Sequence, residues 1–280
     1  MDLRSTGYQS LWYSRNSEWC CNNDYYYYRL VMLEVQHLAV NYRGVRALGE
    51  VSFRLEPGQL VGVIGPNGAG KSTMIKAMLG LVPAASGVVK FRGEALKQQL
   101  CCCAYVPQRS QIDWDYPTTV WSVVMMARTA HTGWFRSPSR QSQEIVASAL
   151  QRVGIWELRH RQIGQLSGGQ QQRVFLARAL AQQASLFLFD EPLTGIDKKT
   201  EAILFQIFAE LKAEGKILLV SSHEWGKALS QYDRLLLLNQ KLIANGSPQE
   251  VMSLDNIKRA YGEGLQSQLL NEPVEQVYFC

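Results

Sequence analysis

Gly65-Pro66-Asn67-Gly68-Ala69-Gly70-Lys71-Ser72-Thr73 decides the reading of this 280-residue chain. It satisfies G-x-x-x-x-G-K-[ST] at every fixed position. Leu60-Val61-Gly62-Val63-Ile64 before it is apolar and β-prone, and Met74-Ile75-Lys76-Ala77-Met78-Leu79 after it reads as a helix start. Strand, glycine loop and helix together aim backbone N–H groups at a polyphosphate lying on a positive helix end. In that arrangement Lys71 reaches the β/γ-phosphates, Ser72 holds Mg²⁺ and Thr73 touches the α-phosphate. A chance glycine-rich turn would not need the flanking strand and helix.

Downstream, a second stretch carries chemistry. Leu186-Phe187-Leu188-Phe189-Asp190-Glu191 is an apolar run ending in two carboxylates. Continuous apolar strands belong to parallel sheets covered on both faces. Ligands of such sheets sit beyond the strand C-termini, which predicts Asp190 and Glu191 beside the phosphate loop. Ile217–Ser222 reads as another such strand with His223 at its end. Between them, Lys198 to Glu214 reads as a helix closed by Gly215. Leu166-Ser167-Gly168-Gly169-Gln170 precedes Gln171–Gln183; Ser167 and Gln170 fit a capping box, so a helix start with free N–H groups is expected there.

The remaining chain frames these motifs. Leu33-Glu34-Val35, Leu38-Ala39-Val40 and Val51–Leu55 read as strands, with a turn at Pro57-Gly58. Tyr42 is placed in an Asn41–Arg46 connection, where both half-buried packing and stacking on adenine stay open. Pro83 and Ser86-Gly87 end the first helix; Val88–Phe91 and Cys103–Val106 are expected strands. Residues 109–166 read as a helical insertion, with segments Val120–Thr129, Gln141–Val153 and Trp156–Arg161 and a break at Gly133–Pro138. Leu235–Leu238 and Leu242–Ala244 form a closing strand pair, with Asn245-Gly246 turning out of it. Ser247 to Cys280 reads as a short helical appendage. Residues 1–31, rich in Tyr, Ser, Asn and Trp, read as a disordered leader or a start placed ahead of Met32, with an aromatic docking segment as the other reading.

Bulk properties narrow the class. Hydrophobic residues make up 46% and charged ones 19%, as in a folded globular protein. A net charge of +5 is mild and selects neither nucleic acid nor an anionic membrane. The six cysteines, at 20, 21, 101, 102, 103 and 280, form no C-x-x-C pair, so a structural zinc and a disulfide framework are both disfavoured. Three adjacent cysteines on a strand alternate faces, which favours packing over a shared ion. No apolar run is long enough to span a bilayer.

In order and spacing these motifs resemble the ATP-binding cassette ATPases, the motor subunits of transporters. The resemblance covers Met32 to about Ser253. Gly65–Thr73 matches the phosphate loop, Gln108 the glutamine loop, Leu166–Gln170 the signature, Asp190 and Glu191 the acidic motif, Asp197 the following loop and His223 the switch histidine. Val106 to Pro117 and Glu191-Pro192-Leu193-Thr194-Gly195-Ile196-Asp197 are similar to the manganese, zinc and iron uptake group. Ala127 and the triple cysteine depart from the pattern.

The resemblance implies an α/β fold. Its parts are a mainly parallel P-loop sheet, an N-terminal antiparallel β subdomain and an inserted α-helical subdomain, within an ATPase domain 32–253 followed by a tail 254–280. It implies ATP and Mg²⁺ as cofactors. Glu191, His223 and Gln108 are the implied catalytic residues, and Ser72, Gln108 and Asp190 the metal-binding ones. Tyr42, Gly65 to Thr73 and Ser167 to Gln170 are implied for nucleotide binding, the last four across a homodimer. A separate membrane permease and an extracytoplasmic metal-binding protein are the implied partners, at the cytoplasmic face of the membrane, with no nucleic acid expected. The rival readings are a soluble cassette ATPase acting on nucleic acid or the ribosome and a nucleotide-gated scaffold without turnover.

Overall fold

The computed structural model describes residues 32–132, 137–223 and 227–262. The leader 1–31, most of the break at 133–138, and the tail from 263 lie outside the described residues. Among the described residues ten strands form two sheets. The first is antiparallel, in the order β2-β1-β4-β5, from β1 (Leu33–Tyr42), β2 (Val45–Leu55), β4 (Ser86–Phe91) and β5 (Glu94–Ala95). Its hairpin turns through two residues, Arg43 and Gly44, so Tyr42 ends β1 opposite Val45 instead of lying in a longer connection. A tight two-residue turn suits the right-handed twist of the paired strands.

The second sheet has the order β10-β9-β3-β8-β7-β6. It contains β3 (Leu60–Ile64), β6 (Cys103–Val106), β7 (Leu186–Asp190), β8 (Ile217–Ser221), β9 (Arg234–Asn239) and β10 (Lys241–Gly246). All pairings are parallel except β9 with β10. Asn245 and Gly246, read as a turn, remain in β10 and pair with Leu236 and Leu235. Every residue of β3, β7 and β8 is buried, as their unbroken apolar runs require. Strand alternation sorts them to two cores. Phe187, Phe189, Leu218 and Val220 face one, packed on helices; Leu186, Leu188, Ile217 and Leu219 face the other, with β1, β2 and the phosphate-loop helix.

The helices are α1 (Lys71–Met78), α2 (Val120–Met125), α3 (Thr129–Thr132), α4 (Arg140–Arg152), α5 (Gly168–Ala181), α6 (Lys198–Ala213), α7 (Pro248–Val251) and α8 (Leu254–Tyr261). Trp156–Arg161, read as a third inserted helix, is only a 3-10 turn over Trp156–Leu158. Its backbone is drawn into a bridge instead: Val120 N donates to Arg161 O at 3.0 Å and Trp121 N to Arg159 O at 2.9 Å. The helix α8 lies on the tail side of the boundary read at 253, yet Ile257 and Ala260 are buried in the main core. Asn239 Nδ2 donates to Ala260 O at 2.8 Å and fastens it there. The triple cysteine divides between a 3-10 turn ending at Cys102 and the first residue of β6; Cys102 and Cys103 are buried and Cys101 is exposed.

Candidate functional site

The C-terminal ends of β3, β6, β7 and β8 open on one side of the parallel sheet, and each delivers part of a site. From β3 the chain enters the glycine loop. A Cβ on Gly65 would stand 2.0 Å from Leu238 O, and φ there is +153°, so only glycine lets the loop lie against β9. Gly70, with φ +94°, caps α1 without a side chain, and no acidic residue occupies the helix's first turn. The N–H groups and positive end of α1 are therefore left for an anion.

Lys71 Nζ donates to Gly65 O at 2.7 Å and to Pro66 O at 3.1 Å, arching over its own loop. Burial pulls its pKa below the usual lysine value, against the opposing attraction of Glu191 and Asp190. From β7 and β8 come the acidic groups. Asp190 is fully buried. Its Oδ1 accepts from Ser72 Oγ at 2.8 Å and from Ser221 Oγ at 2.8 Å. Its Oδ2 is buried without a hydrogen-bond partner. The same Ser221 Oγ accepts from Glu191 N at 2.9 Å, fixing the backbone where Glu191 takes φ +51°. Glu191 Oε2 accepts from Gln108 Nε2 at 2.7 Å and lies 3.9 Å from His223 Nδ1. Gln108 arrives from the end of β6.

These groups surround a cavity of about 440 Å³ lined by Ala47, Asn67 to Thr73, Gln108, Glu191 and His223. Gly65 and Pro66 are tied to this lining by their carbonyl bonds from Lys71, and Asp190 by its bond from Ser72. The sequence-read residues of the phosphate loop, acidic pair, glutamine loop and switch histidine therefore converge. Two groups do not join them. Tyr42 is exposed at the hairpin, and it is Ala47, past the turn in β2, that lines the cavity. Ser167 to Gln170 are also absent from the lining. They start α5 with the expected capping box: Ser167 N donates to Gln170 Oε1 at 2.9 Å and Gln170 N to Ser167 Oγ at 3.4 Å.

Ser221 and Tyr105 were not singled out from the sequence. Strand register was the available signal, since Asp190 pairs with Ser221 and Tyr105 with Leu188, two residues before Asp190. Burial first, then the negative charge of Asp190, raise the Tyr105 phenol's pKa, so it stays neutral near that carboxylate.

The family model described as ABC transporter matches residues 48–194. The chain belongs to the ABC transporter family. This cassette is 44% identical over 230 residues to the manganese transport system ATP-binding protein MntB of Bacillus subtilis, covering 82% of the chain and 92% of that relative. It is 43% identical over 237 residues to the zinc transport system ATP-binding protein TroB of Treponema pallidum, covering 85% and 89%. Its fold is similar to the ADP conformation of an ATP-binding cassette of an ABC transporter, with a TM-score of 0.70 at 24% identity over 82% of this chain and 98% of the other. At that identity the likeness speaks for the fold alone. The cassette is a nucleotide-binding ATPase of α/β architecture, as the order of its motifs led one to expect.

Proposed function

We propose that this chain is the ATP-hydrolysing motor subunit of an importer for a divalent metal ion, with manganese the first choice and zinc or iron behind it. The convergence of Lys71, Ser72, Asp190, Gln108, Glu191 and His223 on one cradle supports the motor. The transport systems named for the relatives support the cargo. In this reading the cargo passes through a separate permease and not through this chain.

In this reading the glycine loop and the start of α1 bind the phosphates, and Lys71 leaves its loop carbonyls to meet the β/γ-phosphates. Ser72 and Asp190 fit Mg²⁺, because they bring hard oxygen donors together and one buried carboxylate oxygen has no other partner. Mg²⁺ bound there would neutralise charge on the phosphates. Glu191 polarises the attacking water and takes up its proton as the water oxygen bonds the γ-phosphorus. The bond to the β–γ bridging oxygen breaks and ADP leaves. Gln108 sits against Glu191 and senses the γ-phosphate side, and His223 orients the transferring group.

The capped start of α5 is outside its own chain's cradle, which supports a head-to-tail homodimer with Ser167 serving ATP bound by the partner. Among the described residues no helix is long and apolar enough to cross a membrane, so a separate permease would carry the metal, supplied by an extracytoplasmic binding protein. The segment from Gln108 through the 109–166 insertion is the proposed docking side, within an ATPase domain 32–253. Uptake of radiolabelled manganese by a strain lacking this protein, with zinc and iron as competitors, tests the cargo. A deficit restored by the gene is expected; normal uptake of all three metals would refute the importer reading.

A further inference from the structure

Arg109 follows Gln108 in the chain, and the two side chains point to different centres. Gln108 Nε2 donates to Glu191 Oε2 at 2.7 Å. Arg109 donates from Nε at 3.0 Å and from Nη2 at 2.8 Å to one acceptor, Gln171 Oε1. Gln171 lies in the first turns of α5 and is only 4% exposed. Its other amide atom, Nε2, donates to Ile163 O at 3.2 Å, so its orientation is fixed from both ends.

The guanidinium also lies against the helix start itself. A Cβ built on Gly168 would meet Arg109 Nη1 at 2.6 Å, so this face of the first turn is closed by the arginine. Behind it, Trp114 Nε1 donates to Arg109 O at 3.1 Å and the indole packs edge-on to Phe175 of α5 at 5.4 Å. A planar fork that puts two donors on one buried oxygen transmits displacement better than a single flexible contact. Both ends of this dipeptide are anchored, one at Glu191 and the other at the start of α5.

We infer that Arg109 is a positioning residue that ties the start of α5 to Gln108, so that the place of Ser167 and the contact of Gln108 with Glu191 change together. This rests on the reading of Glu191 as the hydrolytic base and of the Ser167 helix start as serving the partner's ATP. Within a dimer of that kind, what Gln108 meets in one cradle sets where the same chain presents Ser167 to the other. The two cradles are then linked through each chain as well as across the interface.

The test uses the purified full chain with Arg109→Ala, Arg109→Lys, Gln171→Ala, Gln171→Glu and the Arg109→Ala/Gln171→Ala pair. ATPase kcat and KM are measured beside the melting temperature. Each alanine variant is expected to lose about tenfold in kcat, the scale of one charge-assisted hydrogen-bond pair, with KM for ATP within about twofold. The double variant should be no slower than the worse single, because one contact is lost once. Arg109→Lys should resemble the alanine, since an ammonium cannot fork. Gln171→Glu should keep more of its kcat than Gln171→Ala, since it retains and charges the acceptor for Arg109 although it gives up the donor to Ile163 O.

Wild-type kcat in Arg109→Ala would overturn the inference. So would a double-variant loss equal to the product of the single losses. A Gln171→Glu loss matching that of Gln171→Ala at equal melting temperature would do the same, because it would mean that the acceptor facing Arg109 carries no part of the effect. Absence of turnover in the wild-type chain would instead refute the hydrolytic reading, which separates the two failures.

Discussion

Removing the Ser221 hydroxyl should damage both carboxylates at once. Its oxygen donates to buried Asp190 at 2.8 Å and accepts from the backbone N of Glu191 at 2.9 Å. Ser221→Ala deletes a hydrogen bond to a charged group, worth roughly 1.5–3 kcal/mol, and strands a donor at a cost of about 1–3 kcal/mol. Ser72 still reaches Asp190 Oδ1, and Glu191 N sits at the edge of an open cavity, so the lower halves of those ranges apply. A loss of about 3 kcal/mol follows, and at about 2–4 °C per kcal/mol for a domain of this size the melting temperature should fall by about 6–12 °C. The backbone of Glu191, held at φ +51°, is then free to leave that conformation, so kcat should fall by about tenfold or more. Thermal unfolding by circular dichroism and steady-state ATPase read the two effects. A melting temperature within about 2 °C of wild type would show that the serine bridge does not hold the acidic pair.

Three other outcomes follow from the same geometry. Glu191→Gln keeps the shape of the side chain and removes its basicity, so ATP binding should persist while kcat drops about 10²–10⁴-fold; unchanged turnover would remove Glu191 from its role. Gly65→Ala places a Cβ 2.0 Å from Leu238 O, so the loop must leave β9 and nucleotide binding measured by equilibrium dialysis should be lost; retention of wild-type affinity would count against the close approach. Burial holds the Lys71 ammonium below its usual 10.5, so ATP affinity should begin to fall at a pH below 10.5 as the charge is lost. For the free chain the sign runs the same way as for any base with a lowered folded pKa: the unfolded state binds the extra proton, and the Lys71 contribution to stability grows as pH rises through that window. Affinity that stays level up to pH 10.5 would show that the Lys71 charge is not needed.

The parts of the site that sequence made legible are those whose chemistry needs fixed residues in a short run. Gly65 to Thr73 must fold back on itself whatever surrounds it, and Asp190-Glu191 end an apolar strand whose burial on both faces is readable from composition alone. His223 is legible because strand ends in a parallel sheet share one side, and Gln108 only through the resemblance to the glutamine loop. Tyr42 and Trp156–Arg161 were misplaced because local pattern was weighed without pairing. The hairpin draws Tyr42 into β1, and backbone bonds to Val120 and Trp121 hold Arg159 and Arg161 out of a helix.

Ser221 and Arg109 show what one-dimensional reading lacks. Ser221 is an ordinary last residue of an apolar strand until register sets it opposite Asp190. Arg109 is a charged residue in a loop until α5 brings Gln171, 62 positions away, within 3.0 Å of it. Both serve residues that the sequence did announce: Ser221 fixes the two carboxylates, and Arg109 reaches the helix that begins at Ser167. The announced residues supply the chemical groups, and long-range pairing supplies their aim. The tolerance for error lies in the aim, because a misplacement of about 1 Å can cost a reaction about 10²-fold even when every reacting group is present. Substitutions at Ser221 and Arg109 should therefore reduce turnover while leaving every motif of the chain intact.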